Sequence, residues 1–193
     1  MSTIYIDVGH GKTGEDTGTS RTYNGVAVYE NEQNLLIAKA IKKFLETKGH
    51  TVVLSRSTNA NCTKRLAKTA TTLWSQPDSN MIASANTCKA GKYDLAVSIH
   101  NNWSSNKKAR GYQIIYKTGD NKSESSLALA TSVAAELKQV IPEHSIYTRL
   151  GSNGTDYYGA LRMHDKTGIL IECAFISNDE DVELLLKNQA AIG

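Results

Sequence analysis

Four acid–base residues stand beside or inside stretches that otherwise read as buried structure. His10 follows the run Ile4-Tyr5-Ile6-Asp7-Val8 and lies between Gly9 and Gly11. His100 leaves the run YDLAVSI (93–99) and meets Asn101-Asn102. Glu172 interrupts GILIECAF, and Glu30 opens a segment of helical period. Two imidazoles and one carboxylate suit zinc and leave its fourth position for water. Such an ion polarises a carbonyl and lowers the pKa of its water. A second carboxylate can take the water proton and hand it to a leaving nitrogen. Spacing alone does not single this set out, because the residues are scattered instead of packed as HExxH on one helix. Each also has a structural reading. Either histidine fits as a loop residue hydrogen-bonded to its neighbours. Glu30 fits as a first-turn helix carboxylate. Glu172, costly to bury unpaired, fits as half of an ion pair with an arginine such as Arg162.

The elements around these residues alternate strand and helix. Ile4–Val8 is a β-branched and aromatic strand closed by Gly9. Gly11, Gly14, Asp16, Gly18 and Asn24-Gly25 are turn formers. A helix begins near Glu30, carries Ile37, Ile41, Phe44 and Leu45 as its apolar stripe, and ends at Gly49. Thr51–Leu54 is the next strand, so the first fifty residues or so form a βαβ unit. Cys62–Trp74 reads as a helix weakened by threonines, 76–80 as a turn, and Met81–Cys88 as a short helix. Tyr93–Ile99 and Gly111–Tyr116 are strands, and Leu127–Ile141 is an amphipathic helix. Tyr147–Met163, with Gly151, Gly154 and Gly159, reads as loops with one short strand. Gly168–Phe175 is the last strand. Ser177 or Asn178 caps a final helix whose start is favoured by Asp179, Glu180 and Asp181. The expected fold is α/β: one domain over 1–193, with an open, twisted, mostly parallel sheet, an antiparallel edge, and helices on both faces. Ligands in such folds sit beyond the carboxyl ends of strands, near where His10, His100 and Glu172 lie.

Composition narrows the class. The chain has 193 residues, 40% hydrophobic and 21% charged, which describes an ordinary globular protein. The net charge of +3 favours approach to an anionic wall or membrane surface. Zinc-finger spacing, RNP-like aromatic runs and dense basic helices are missing, so nucleic acid is not an expected partner. Cys62, Cys88 and Cys173 form no CxxC pair; a Cys62–Cys88 bridge stays open, and Cys173 reads as a small buried hydrophobe. No stretch reaches the length of a membrane span. The start MSTIYIDVGHG has no basic n-region or long apolar h-region, which reads as a chain made without its own secretion signal, or as an excised domain.

Four blocks, in order along nearly the whole chain, resemble the zinc-dependent N-acetylmuramoyl-L-alanine amidases of the amidase-3 family. IYIDVGHGKTGEDTG resembles the family's D-x-GHG opening. YENEQNLLIAKAIKKFLETKGHTVVLSR resembles its E-x-x-x-N-L helix and following strand. YDLAVSIHNNW resembles its SIH-x-N block, and GILIECAFISNDEDVELL its L-x-E-x-x-F-x-S-N-x-x-D block. The resemblance implies zinc ligands at His10, Glu30 and His100 and a catalytic glutamate at Glu172. The Asn34-Leu35 match places the ligand at Glu30 over its neighbour Glu32. Asn102 is implied as a site-shaping residue, with Tyr157 and Tyr158 lining the substrate groove. The chain departs from the pattern between Ser57 and Asn80, which is longer than in relatives, and near Met81, where relatives carry an arginine. The short polar stretch Ser104–Arg110 carries no autoinhibitory helix, so the site is expected to stand open.

The activity implied by the resemblance is hydrolysis of the amide between N-acetylmuramic acid and L-alanine in peptidoglycan. Another zinc peptidoglycan peptidase and a non-catalytic wall-binding domain are the competing readings. The expected substrate partner is peptidoglycan, the expected state a monomer. The expected place of action is the bacterial cell wall on its extracellular or periplasmic side. The signal-less start suggests the catalytic domain of a phage endolysin released from the host cytoplasm.

Overall fold

The computed structural model describes residues 1–62, 84, 87–141, 143–162 and 164–192. The elements in chain order are β1 (Thr3–Val8), β2 (Ser20–Tyr23), β3 (Val26–Tyr29), α1 (Glu30–Thr47), β4 (Thr51–Leu54) and β5 (Leu95–Asn102). They continue with β6 (Tyr112–Tyr116), α2 (Ser123–Leu137), β7 (Glu143–Tyr147), α3 (Gly159–Arg162), β8 (Thr167–Phe175) and α4 (Asp179–Ile192). The expected helix over Cys62–Trp74, apart from Cys62 itself, and the turn over 76–80 lie outside the described residues. So does part of the expected helix Met81–Cys88, of which Ser84 and residues 87–88 are helical in a stretch that runs to 90.

Six strands form one sheet in the order β4-β1-β5-β8-β6-β7. β1 pairs in parallel with β4 and β5, and β5 with β8. β6 is antiparallel to β8 and carries β7 parallel to itself, so the antiparallel edge is two strands wide. β1, α1 and β4 make the expected βαβ unit, interrupted by the β2–β3 hairpin, where the sequence reading has only turn formers. Asn24 and Gly25 both have positive φ, 49° and 78°, as the tight turn between twisted antiparallel strands requires. β7 is a third strand beyond the expected set: EHSIY is short, polar in part, and gains its strand character only by pairing at the sheet edge.

The two sheet faces differ. Ile4, Ile6 and Val8 of β1, Ile99 of β5, and Ile169, Ile171 and Cys173 of β8 face one side. There they pack with Ile37 and Ala38 of α1, Ala130 and Ala134 of α2, and Val182 and Leu185 of α4. This is the main core, and alternation along the strands builds it. The opposite face is covered more thinly. Leu161 of α3 packs there on Ile115 and Leu170, while Tyr5, Cys88 and Ala96 form a second small cluster. Asp7, Ser98, His100 and Glu172 add polar side chains to that face. α4 starts on Asn178, not Ser177: Asn178 Oδ1 accepts from the Asp181 amide at 3.1 Å, while Ser177 Oγ accepts from the Ser104 amide. None of the three cysteines is joined in a disulfide. Among the described residues no helix is long and apolar enough to cross a membrane.

Candidate metal and catalytic site

Register sets the first half of the site. β5 and β8 are parallel neighbours with His100 opposite Glu172, and the ladder shifts between His100 and Asn102. Both side chains therefore rise from the thinly covered face near the carboxyl end of the sheet. β1 supplies His10. The Gly9 amide extends the ladder by donating to Ile99 O at 3.0 Å. His10 itself then takes the left-handed conformation, φ 64°, which costs a non-glycine residue about 1 kcal/mol. Its ring centroid lies 5.1 Å from that of His100. The flanking glycines serve differently than their flexibility suggests. Gly9 does not have positive φ; its role is room, since a Cβ there would lie 2.4 Å from His100 Cε1.

Glu30 enters from the first residue of α1, only 4% exposed. Its Oε1 lies 3.2 Å from His10 Nε2 and 3.0 Å from His100 Nδ1. Its Oε2 accepts from the Thr19 amide at 2.9 Å. Gly18 makes this approach possible: a Cβ there would sit 2.4 Å from Glu30 Oε2 and 2.5 Å from His10 Cδ2. Glu32 is not part of the gathering; it accepts from Thr13 Oγ1 and Asn59 Nδ2 at the surface. The donor atoms of His10, Glu30 and His100 lie within 4.8 Å of one another and can hold a metal ion. Bonds of about 2.0–2.2 Å to a tetrahedral ion put neighbouring ligand atoms roughly 3.3–3.5 Å apart, close to the spacings seen. Asp16 Oδ1 lies 2.8 Å from His10 Nδ1, the outer partner that orients a ligand imidazole and frees its other nitrogen.

A buried arginine holds the frame. Arg56 Nε donates to Val8 O and His10 O, Nη2 to Gly9 O and Asn31 O, and Nη1 to Thr58 O. Asn34 Nδ2 also donates to Gly9 O, and Asn101 Nδ2 to Asn34 Oδ1. These residues tie the end of β1 to α1 and β5. In the sequence Arg56 and Asn34 stand out only as landmarks of the matching blocks. They supply donors to the carbonyls of Val8, Gly9 and His10, where the β1 ladder ends.

The charges set one another. Burial alone would raise the Glu30 pKa, but hydrogen bonding with His10 and His100 outweighs it and holds the carboxyl well below its usual range. Burial alone would lower His10, yet its bonds to Asp16 and Glu30 raise it to about 10. His100 is raised in the same way, against burial, by Glu30. Glu172 goes the other way. Burial, reinforced by the negative charge of Glu30 and opposed by His100 and His10, pushes it up to about 7. Its Oε2 is sealed from solvent and has no hydrogen-bond partner among the described residues. The ion pair with Arg162 does not form: Arg162 Nη1 donates to the carbonyls of Asp156 and Tyr157.

His10, His100 and Glu172 line one cleft of about 100 Å³, together with Tyr158 and Asp7. Tyr157 is exposed, packs edge-on against Tyr158 at 5.2 Å, and does not line this cleft. Asn102 does not line it either. Asn102 Nδ2 donates to Gln113 Oε1 at 2.5 Å, and its Oδ1 accepts from the Trp103 amide.

The family model described as N-acetylmuramoyl-L-alanine amidase matches residues 4–192. A probable cell wall amidase LytH of Staphylococcus saprophyticus is 29% identical over 185 residues, covering 96% of this chain and 52% of that protein. The chain thus spans about half the length of the curated relatives it matches. Among solved structures, Cwp6 from Clostridium difficile is 31% identical with a TM-score of 0.78, covering 99% of this chain and 27% of that one. The CwlD amidase from Clostridioides difficile, solved with the GerS lipoprotein, shares the fold at 24% identity. Its TM-score is 0.78, and the match covers 100% of this chain and 92% of that one.

Proposed function

Because the chain belongs to the N-acetylmuramoyl-L-alanine amidase family, we propose that it hydrolyses the amide joining N-acetylmuramic acid to L-alanine in peptidoglycan, with zinc held by His10, Glu30 and His100. The observation that carries the reading is the gathering of these three side chains from distant stretches of chain, with the unpartnered Oε2 of Glu172 in the same cleft. The donor set favours zinc: two neutral imidazoles and one carboxylate, with a position left open. Bound there, the ion supplies Lewis acidity, drawing charge from the amide carbonyl and acidifying water.

The protein's own groups do the rest. Asp16 holds His10 by Nδ1 and leaves Nε2 for the ion. Arg56 and Asn34 fix the backbone that carries His10. Glu172 takes a proton from the attacking water at its carboxylate and returns it to the departing L-alanine nitrogen. A group doing both works best with a pKa near the working pH, and burial raises Glu172 from the usual carboxylate range in that direction. Tyr158 forms part of the cleft wall. The site of action follows from the substrate: the wall lies outside the cytoplasmic membrane.

Digestion of purified peptidoglycan, with products identified by mass spectrometry, tests this directly. The expected products are intact stem peptides with a new L-alanine amino terminus. New termini within the stem peptide would instead establish a peptidase.

A further inference from the structure

The cleft is acidic. Asp7 and Glu172 line it, and Glu30 and Asp16 stand behind His10. A stem-peptide carboxylate finds no uncommitted cationic side chain among the described residues that line the cleft, so a cation beside it would be its natural partner. Most nearby cations are committed. Arg56 and Arg162 bind backbone carbonyls, Lys12 pairs with Glu15, and Lys117 is buried on Leu161 O and Asp120. Among the described residues Arg149 stands differently. It is exposed, and among the described residues no carboxylate lies within ion-pair distance of it. Its guanidinium carbon sits 3.8 Å from the Tyr157 ring centroid and 5.7 Å from that of Tyr158. Nη1 donates to the Tyr158 hydroxyl at 3.3 Å. Stacking of this kind fixes a guanidinium in place and leaves N–H groups along its edge free for a planar anion.

Its position is beside the cleft. Arg149 follows β7, which lies two strands from β8, about 10 Å across the sheet. Tyr158, which touches both Arg149 and the cleft wall, bridges the two places. We propose that Arg149, held by Tyr157 and Tyr158, binds the free carboxylate of the stem-peptide residue following L-alanine. It thereby selects wall in which that group is charged over wall in which it is amidated. The inference rests on the amidase reading above and gives Tyr157 a role outside the cleft, as the platform for the cation.

The test compares N-acetylmuramoyl-L-alanyl-D-isoglutamyl-L-lysine with N-acetylmuramoyl-L-alanyl-D-isoglutaminyl-L-lysine, in which the γ-carboxyl is an amide in both and only the α-carboxyl differs, in the zinc-loaded wild type and in Arg149→Gln and Arg149→Lys. The wild type should prefer the acid by about tenfold in kcat/KM, carried by KM, as one charge-assisted pair implies. Arg149→Gln should erase the preference and leave cleavage of the amidated substrate unchanged. Arg149→Lys should restore part of the preference. Because Arg149 is exposed, the melting temperature should not move. Equal losses on both substrates, or a wild type that does not discriminate, would overturn the proposal. Calorimetric titration of both peptides into Glu172→Gln separates the two readings. A binding preference for the acid that depends on Arg149, in a protein whose wild type cuts neither peptide, would leave the carboxylate site standing and sink the amidase.

Discussion

Replacing Glu172 with Gln should stabilise the metal-free protein at alkaline pH while removing its activity. The magnitude follows from the site. Burial and the nearby Glu30 charge raise the Glu172 pKa from 4.5 to about 7, and each unit corresponds to about 1.4 kcal/mol. A raised pKa means that folding favours the protonated carboxyl. Its contribution is fully present below about pH 4.5, fades as pH rises through 7, and at pH 8 the ionised group costs about 3 kcal/mol. Glutamine does not titrate, and the imidazoles that oppose the shift remain in both proteins. The stability difference between wild type and variant should therefore move by about 3 kcal/mol between pH 4.5 and 8, in favour of the variant. For a chain of this length that is roughly 6–12 °C in melting temperature. Urea unfolding in the presence of chelator, at several pH values and with a common m-value, measures it. Loss of wall cleavage by a factor on the order of 10²–10⁴ should accompany the gain. A difference that does not change with pH would refute the account of Glu172 as a buried, unpartnered base.

Other outcomes rest on the same geometry. Binding of zinc to the apoprotein should release at least one proton near pH 7, because His10 is raised to about 10 by its bonds to Asp16 and Glu30 and His100 is raised in the same direction by Glu30. Calorimetry in buffers of different ionisation enthalpy counts the protons released, and affinity should fall as pH falls. Gly18→Ala should weaken zinc binding by about tenfold or more with the fold retained, since its Cβ would strike Glu30 and His10 at a left-handed position. Equilibrium dialysis against a competing chelator reads this. Arg56→Ala should cost about 3–5 kcal/mol, because it removes a donor from five buried or half-buried carbonyls, of which Gly9 O keeps Asn34. Denaturant unfolding measures the loss.

Much of the architecture was legible in the chain. Long runs such as YDLAVSI and GILIECAF must be buried on both faces, and the stripe on Glu30–Thr47 must face a core, so a parallel sheet with flanking helices follows from burial alone. The hairpin was also within reach, because Asn24-Gly25 between alternating residues carries its own turn chemistry. β7 was not, since EHSIY becomes a strand only by pairing with β6.

The sequence by itself determined which side chains were available for chemistry and which stretches had to be strands, because residue type and period are local properties. Only the tertiary structure decided what those side chains do to one another. Register set His100 opposite Glu172, and the bend at His10 brought Glu30, not Glu32, to both imidazoles. The absent side chains of Gly9 and Gly18 proved to be space for a ring and a carboxylate. Distances between residues seventy or more positions apart depend on how the whole chain packs, and no local pattern encodes them.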